Sequence, residues 1–411
     1  MSVYAEENLV IVIDPGHGGK NEGALYDGYT EKEMTLVAAQ AMKEELLKYD
    51  QVEVYLTHES DEDMSIKNRA AFAAEKNADF LFCLHFNTSE ERNYFGAEVW
   101  VPSGDEYYAK GFSFARIEMQ ALTDLGLYSR GIKTRLNNAG KDYYGILRYC
   151  TEENIPSVLI EHCHLDHEKD QRFYQLGEEQ LKEFGRLDAT AAAKYFRLKS
   201  ESLGADYSDY PVPRIQTPDS EVMPDLTEPE LCRIEVGEIR EDTGEITVHM
   251  EAEDFDSYIL YYGVSLDGGR NWLPLEEWPR PDRWDESLRE YDFTLTVPFD
   301  QELLLTAKAY NGFDLYTESN SISLSPIPDP ERLAAEAEAA REKSREALRR
   351  AQKNYEEIHY ESMGTEPVLP GSAPPFWQIA LIIGLILLLM VLLSFFTAKM
   401  IFLLKRDNKR R

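Results

Sequence analysis

Two hydrophobic periods alternate along residues 9–197, and this alternation restricts the fold more than any other feature. Short apolar runs occupy residues 9–13 (LVIVI), 52–57, 80–85 (FLFCLH), 97–101 and 157–161 (SVLIE). Between them lie segments of helical spacing: 30–48, with Met34, Val37, Ala38 and Ala41 on one face; 65–77, opened by Ser65 as a cap; and 168–196. Strands alternating with helices predict an α/β domain whose mixed, largely parallel sheet is flanked by helices.

The rest of the chain changes character in stages. Residues 198–230 hold prolines and acids with little periodicity and read as a linker. Residues 231–326 carry short β-rich runs and the turn Asp267-Gly268-Gly269, which predicts a β-sandwich. The run VSLDGGRNW, residues 264–272, resembles strand pairs of fibronectin-III and immunoglobulin-like modules. Residues 329–361 are rich in Ala, Glu and Arg and predict a long helix. The seam through Leu333, Ala337, Ala340, Ser344, Ala347 and Ala351 buries little, so a solvated stalk is expected rather than a strong coiled coil. A Pro- and Gly-containing linker, 362–375, leads to the charge-free apolar run 376–398.

That run is long enough to cross a bilayer as a helix. The tail 399–411 holds six basic residues and one acid, Asp407, which predicts a cytoplasmic C-terminus. Everything before residue 376 is then expected outside the cell, anchored to the cell membrane by a single pass. Such export needs a signal peptide, and residues 1–8 carry neither a basic segment nor an apolar one. Val3-Tyr4-Ala5 before Glu6 fits a signal-peptidase site, so the signal peptide is expected upstream, missing from this chain. A tail-anchored protein with a cytosolic large domain is the alternative.

The net charge of −32 argues against nucleic acid as a partner. Four cysteines, Cys83, Cys150, Cys163 and Cys232, form no CxxC pair and read as unpaired, mostly buried thiols. A Cys150–Cys163 disulfide remains open.

The chemistry-bearing residues fall at the ends of the apolar runs. In open α/β sheets, ligands bind at the carboxyl ends of strands. His17 sits in DPGHGG just past the first run, His85 closes the third, and Glu161 closes the last. Thr30 and Glu33 have capping-box spacing, with the hydroxyl on the backbone and the glutamate reaching back. That arrangement occupies Glu33 and leaves Glu31 free to face a metal. A carboxylate at the end of a buried strand, such as Glu161, is partly desolvated, which raises its pKa as a general base requires.

The segments IVIDPGHGG, TEKEMTL, ADFLFCLHFN and PSVLIEH, in this order, resemble the zinc-dependent N-acetylmuramoyl-L-alanine amidases of bacterial cell-wall turnover. The likeness covers residues 9–196 and extends to NRAA (68–71), RGIK (130–133) and GILR (145–148). It implies that residues 1–197 form a catalytic domain holding Zn2+ through His17, Glu31 and His85, with Glu161 as acid/base. Asn87, Arg148 and His162 are the candidate substrate-binding residues, and peptidoglycan is the implied partner.

The chain departs from the family after Glu161. Where the family usually reads Gly-Phe and then Asn, this sequence reads His162-Cys163-His164-Leu165-Asp166-His167. A polar turn without catalytic consequence is the expected reading; a narrower groove and a second metal-binding cluster are the alternatives. Two other functions remain in play: an amidase-like protein that binds wall or partner without cutting, and a zinc peptidase acting within the stem peptide.

Overall fold

A computed structural model describes residues 8–90, 93–281 and 286–362 of the 411-residue chain. The apolar run 376–398, the basic tail, the 363–375 part of its linker and Val3-Tyr4-Ala5 lie outside the described residues. No helix among the described residues is long and apolar enough to cross a membrane. The chain falls into two compact units, one up to Pro330 and one from Glu331.

The first domain opens with β1 (Leu9–Pro15), the two-residue strands β2 (Leu25–Tyr26) and β3 (Tyr29–Thr30), α1 (Glu31–Leu46), β4 (Val52–Leu56), α2 (Ile66–Glu75) and β5 (Phe80–Asn87). It continues with β6 (Ala97–Trp100), α3 (Asp105–Leu125), β7 (Ser129–Lys133), α4 (Gly145–Glu152), β8 (Ser157–His164), α5 (Glu168–Gln171), α6 (Glu178–Phe196) and the short pair β9 (Lys199–Ser200) and β10 (Ala205–Asp206). The main sheet has the order β4-β1-β5-β8-β6-β7. Strands β4, β1, β5 and β8 are parallel; β6 runs antiparallel to β8, and β7 parallel to β6. The expected mixed, largely parallel α/β sheet is therefore present.

Side chains alternate across a strand, and the two faces build separate cores. Ile11, Ile13, Phe80, Phe82, Leu84, Val158 and Ile160 pack against α1, α3 and α6. Val12, Leu81, Cys83 and Leu159 pack against α2 and α4. Cys150 belongs to the second core and Cys163 to the first, so the two thiols lie on opposite faces and are unpaired. All four cysteines are free.

Residues 198–230 do more than connect. Tyr207, Tyr210 and Val212 pack onto the first core. Farther along, Ser113 Oγ donates to Pro213 O at 2.5 Å, Val222 N to Ser103 O at 2.6 Å, and Thr134 Oγ1 to Val222 O at 2.7 Å. The segment is a strap along the first domain because its aromatic rings find apolar surface and its peptide groups find partners.

The β-domain consists of β11 (Leu231–Arg240), β12 (Glu245–Glu253), β13 (Ile259–Ser265), β14 (Glu276–Glu277), β15 (Glu290–Thr296), β16 (Leu303–Asn311), β17 (Tyr316–Glu318) and β18 (Ile322–Leu324). One sheet is β11-β12-β15; the other is β14-β13-β16-β17, with β18 also pairing β16. Strand β12 buries every second residue, and Ile246, Val248 and Met250 meet Ile259, Val264, Leu305 and Ala307 in one shared core.

The two domains form one compact unit. Phe95 of the first domain is buried with Tyr258, Leu260, Tyr261 and Leu275 of the second. Tyr128 OH donates to Leu260 O at 2.5 Å, Tyr258 OH to Arg130 O at 2.6 Å, and Tyr261 OH to Phe95 O. In the other unit, α7 (Pro330–Ser362) is a helix whose residues 331–358 are all exposed, with Arg332–Glu336 and Lys353–Glu357 ion pairs along it.

Helices α1 and α6 approach closely at Gly185, where an added Cβ would run into Ala38 O and stand 2.7 Å from Met42 N. Backbone atoms cannot step aside as a side chain can. Gly185→Ala is expected to cost about 1–3 kcal/mol, the usual range for overpacking, read as a lower midpoint in denaturant unfolding. An unchanged midpoint would show that the helices have room to part.

Candidate active site

The sheet's register delivers the site. His85 on β5 is the direct partner of Glu161 on β8, and Glu161 is in turn the partner of Glu98 on β6. His85 shares the parity of Leu81 and Cys83, and Glu161 that of Leu159, so both lie on the α2/α4 side. They line one cavity of about 510 Å³ together with His17, Glu31 and Asn87.

Glu31 begins α1 and is buried, 4% exposed. One carboxylate oxygen, Oε1, lies 2.9 Å from His85 Nδ1 and accepts from Phe86 N at 3.0 Å. The other, Oε2, lies 2.9 Å from His17 Nε2 and accepts from Ala24 N at 2.8 Å. Burial pushes this carboxyl upward, but the hydrogen bonds from His17 and His85 together outweigh it and hold it well below the usual range. Burial likewise pulls the His17 imidazole down, and its contacts with Glu31 overcome that and raise it. The sequence reading of Thr30 is corrected in detail. Its hydroxyl makes no backbone cap; it donates to Glu33 Oε2 at 2.5 Å. Glu33 is still the occupied glutamate and Glu31 the one facing the histidines.

Space and backbone are arranged around these three residues. His17 adopts a left-handed conformation, φ 68°, uncommon for a residue with a side chain and a frequent mark of functional sites. A Cβ on Gly16 would collide with the His85 ring. Arg69 on α2 fixes the loop, donating to Asp14 Oδ1 at 2.8 Å, to Pro15 O at 2.6 Å and to His17 O. Asp14 also accepts from Thr57 Oγ1 at 2.6 Å. The sequence reading gave neither Asp14 nor Arg69 a role, although both stand in the quoted motifs DPGHGG and NRAA.

Ligand atoms of His17, Glu31 and His85 all lie within 4.8 Å of one another, and they form the one such group of His, Cys, Asp or Glu found among the described residues. Two imidazole nitrogens and a carboxylate, converging where each now shares a proton with another, fit a divalent metal ion. Glu161 beside them is 8% exposed, and its Oε2 has no hydrogen-bond partner among the described residues. Burial pushes its carboxyl well above the usual range, and the charges of Glu31 and Glu98 push the same way.

The remaining predicted residues disperse. Asn87 lines the cavity and donates from Nδ2 to Glu98 Oε1 at 2.9 Å. Arg148 braces the 142–143 turn, donating to Asp142 O at 2.5 Å and Tyr143 O at 3.2 Å. His162 is buried behind β5, with Nδ1 3.1 Å from His85 O and Nε2 3.0 Å from Asp188 Oδ1. A bulge in β8, where Asn87 pairs with His164 rather than with the residue before it, separates the histidines. His164 Nδ1 lies 3.1 Å from Gly96 O, and His167 Nδ1 accepts from Lys169 N at 3.2 Å. They make no second metal cluster among the described residues.

Residues 11–185 match the family model described as N-acetylmuramoyl-L-alanine amidase. This part of the chain is similar to the catalytic domain of that amidase family. A putative N-acetylmuramoyl-L-alanine amidase of Buchnera aphidicola is 32% identical over 106 residues, 26% of this chain and 46% of the relative. A probable amidase, AmiB, of Haemophilus influenzae is 38% identical over 104 residues, 25% of this chain and 24% of the relative. The chain thus spans less than half the length of either. The catalytic domain of CwlV from Bacillus (Paenibacillus) polymyxa aligns at 27% identity with TM-score 0.40, over 46% of this chain and 99% of that one.

If the first domain holds a metal through His17, Glu31 and His85, His85→Ala removes one ligand and leaves the apolar strands intact. Zinc retained in equilibrium dialysis should fall from one per chain to near zero, with the far-ultraviolet spectrum unchanged. Stoichiometric zinc in the variant would place the metal elsewhere.

Proposed function

We propose that this chain is a zinc-dependent N-acetylmuramoyl-L-alanine amidase, hydrolysing the amide between the lactyl group of N-acetylmuramic acid and L-alanine in peptidoglycan. The observation that carries this reading is the convergence of His17, Glu31, His85 and Glu161 in one cavity of an amidase-family domain. Two histidines, one glutamate and an open side make up a donor set of catalytic zinc. When bound, zinc supplies a Lewis acid that acidifies water and polarises a carbonyl.

The chain's own groups do the rest. Glu31 and the His17 and His85 rings are pre-set by packing and by backbone N–H groups, so little reorganisation precedes binding. Glu161, whose carboxyl lines the cavity, takes a proton from the attacking water. It returns that proton to the departing amine of L-alanine. A purely binding role is disfavoured because all four residues are present and brought together.

Glu161→Gln preserves shape but cannot take the proton. It should bind zinc as before while turnover on muropeptides falls by about 10²–10⁴-fold, the usual worth of an acid/base group. Mass spectrometry identifies the bond: an amidase releases the whole stem peptide from intact muramic acid. Fragments cut within the peptide would make the enzyme a peptidase, and normal turnover of the variant would remove Glu161 from the chemistry.

The composition of residues 376–411 supports a single-pass anchor in the cell membrane, with the catalytic domain outside and the basic tail in the cytoplasm. In this reading the β-domain, similar in its 264–272 run to fibronectin-III and immunoglobulin-like modules, stays with the enzyme at the wall. Protease added to intact, wall-stripped cells should remove residues 1–375 and spare a small C-terminal fragment. Protection of the catalytic domain until lysis would place it in the cytosol.

A further inference from the structure

A second cavity, of about 700 Å³, lies between the two domains and the strap. It borders the catalytic cavity, since Asn87, Thr88 and Tyr144 line both. Its walls come from three separate stretches of chain: Trp100 and Arg135 of the amidase-family domain, Leu226 of the strap, and Phe313 and Asp314 of the β-domain. We propose that the β-domain is a wall of the substrate groove, and that this cleft holds the stem peptide beyond its first residue. Arg135 pairs with a peptide carboxylate there. This rests on the amidase reading for the identity of the peptide.

Three observations carry the proposal. The first is continuity: a chain cut at Glu161 must leave the catalytic cavity somewhere, and the shared lining opens it toward this cleft. The second is rigidity. The turn bearing Asp314 is held in a left-handed conformation, φ 67°. The buried Asn311 accepts from Phe313 N and Leu315 N, both at 3.0 Å, and donates to Asp225 Oδ2 of the strap at 2.8 Å. Asp314 Oδ2 accepts from Arg130 at 2.7 Å, and Arg130 is buried beside Glu98. A wall fixed on both sides is preorganised for binding.

The third is unspent bonding capacity. Arg135 is exposed, lies 3.8 Å from the centre of the Tyr143 ring, and pairs with no carboxylate among the described residues. Arg130 and Lys133, by contrast, are committed to Glu98 at 2.9 and 2.7 Å. Arg135, held by Tyr143 and Tyr144 but without a carboxylate partner among the described residues, lines a cleft with the size and mixed apolar and polar lining of a ligand site. An extended peptide offers a matching carboxylate.

The test uses the full chain, with Arg135→Gln and, on the β-domain wall of the cleft, Leu315→Ala, in two measurements. Calorimetry with a free stem tetrapeptide reads binding without chemistry. Kinetics compare a muramyl substrate carrying L-alanine alone with one carrying the tetrapeptide. Arg135→Gln should weaken tetrapeptide binding about tenfold, the usual worth of a charge-assisted hydrogen bond, and Leu315→Ala should weaken it about tenfold as well, the worth of one or two buried methylene groups. KM for the long substrate should rise by the same factor, with kcat and the short substrate unaffected. Equal losses on both substrates, or none, would overturn the proposal while wild-type cleavage leaves the amidase reading standing. Tetrapeptide binding that the variants lose, in a wild-type chain that cuts neither substrate, supports the cleft and sinks the reaction. A wild-type chain that neither binds nor cuts overturns both.

Discussion

A buried carboxylate needs compensation, and the site is organised around how Glu31 gets it. An ionised carboxylate in a protein interior is costly unless it is paired and hydrogen-bonded. Glu31 has four partners, two imidazoles and two backbone N–H groups, drawn from the loop after β1, the turn before α1 and the end of β5. Its place in the first turn of α1 adds the favourable end of the helix dipole. Each partner depends on something farther out. His85 arrives by strand register and fits because Gly16 has no side chain. His17 holds its left-handed backbone because Arg69 binds the carbonyls on either side of the bend. Losing one donor would leave a buried acceptor unsatisfied and expose the rest of the set to strain.

What was legible in the sequence followed from local pattern. Apolar runs marked the strands, and the polar residue at the end of each run marked the sheet edge, which put His17, His85 and Glu161 together. The choice of Glu31 over Glu33 came from spacing alone; the actual bond, hydroxyl to carboxylate, differs from the expected cap but leaves the same glutamate free. What stayed hidden depends on partners distant in the chain. Strand β7, Ser129–Lys133, carries no apolar run, yet all five residues are buried. It is buried because Arg130 and Lys133 find Glu98, and Arg130 also finds Asp314, 184 residues away. The strap looked like a linker because its apolar side chains, scattered among prolines and acids, make no period. The three histidines after Glu161 look like a cluster on paper, but a bulge in β8 parts His162 from His164, and His167 lies beyond the strand as the cap of α5.

The ionic network under the domain interface does not by itself argue for stability. Buried ion pairs often cost as much in desolvation as they return. Geometry is what this one contributes. The planar guanidinium of Arg130 holds Glu98 Oε2 at 2.9 Å, Tyr261 OH at 3.0 Å and Asp314 Oδ2 at 2.7 Å, so one rigid fork joins β6, β13 and the 311–315 turn. Apolar burial of Phe95, Tyr258 and Tyr261 supplies attraction between the domains, and the fork allows only one orientation. Apolar contacts alone tolerate sliding; a three-way polar contact does not, because any slip strands a charge.

The same network reaches Glu161, the proposed acid/base. Glu98 and Glu161 are cross-strand partners on neighbouring strands of one sheet, and their surroundings drive them apart. Burial pushes Glu98 upward, but Lys133, Arg130 and His164 outweigh it and keep the group ionised. Burial pushes Glu161 upward too, and nothing comparable opposes it: Glu31 and Glu98 add to the rise, and Arg130 offsets only part. Two carboxyls with opposite shifts, side by side, is how one fold separates a fixed charge from a proton carrier. Because Arg130 is shared with Asp314 of the β-domain, the docking of that domain helps keep Glu98 charged. Through Glu98 it bears on how readily Glu161 holds a proton. The β-domain is thereby joined to the chemistry by a chain of named contacts, and its place in the molecule cannot be understood as that of a spacer alone.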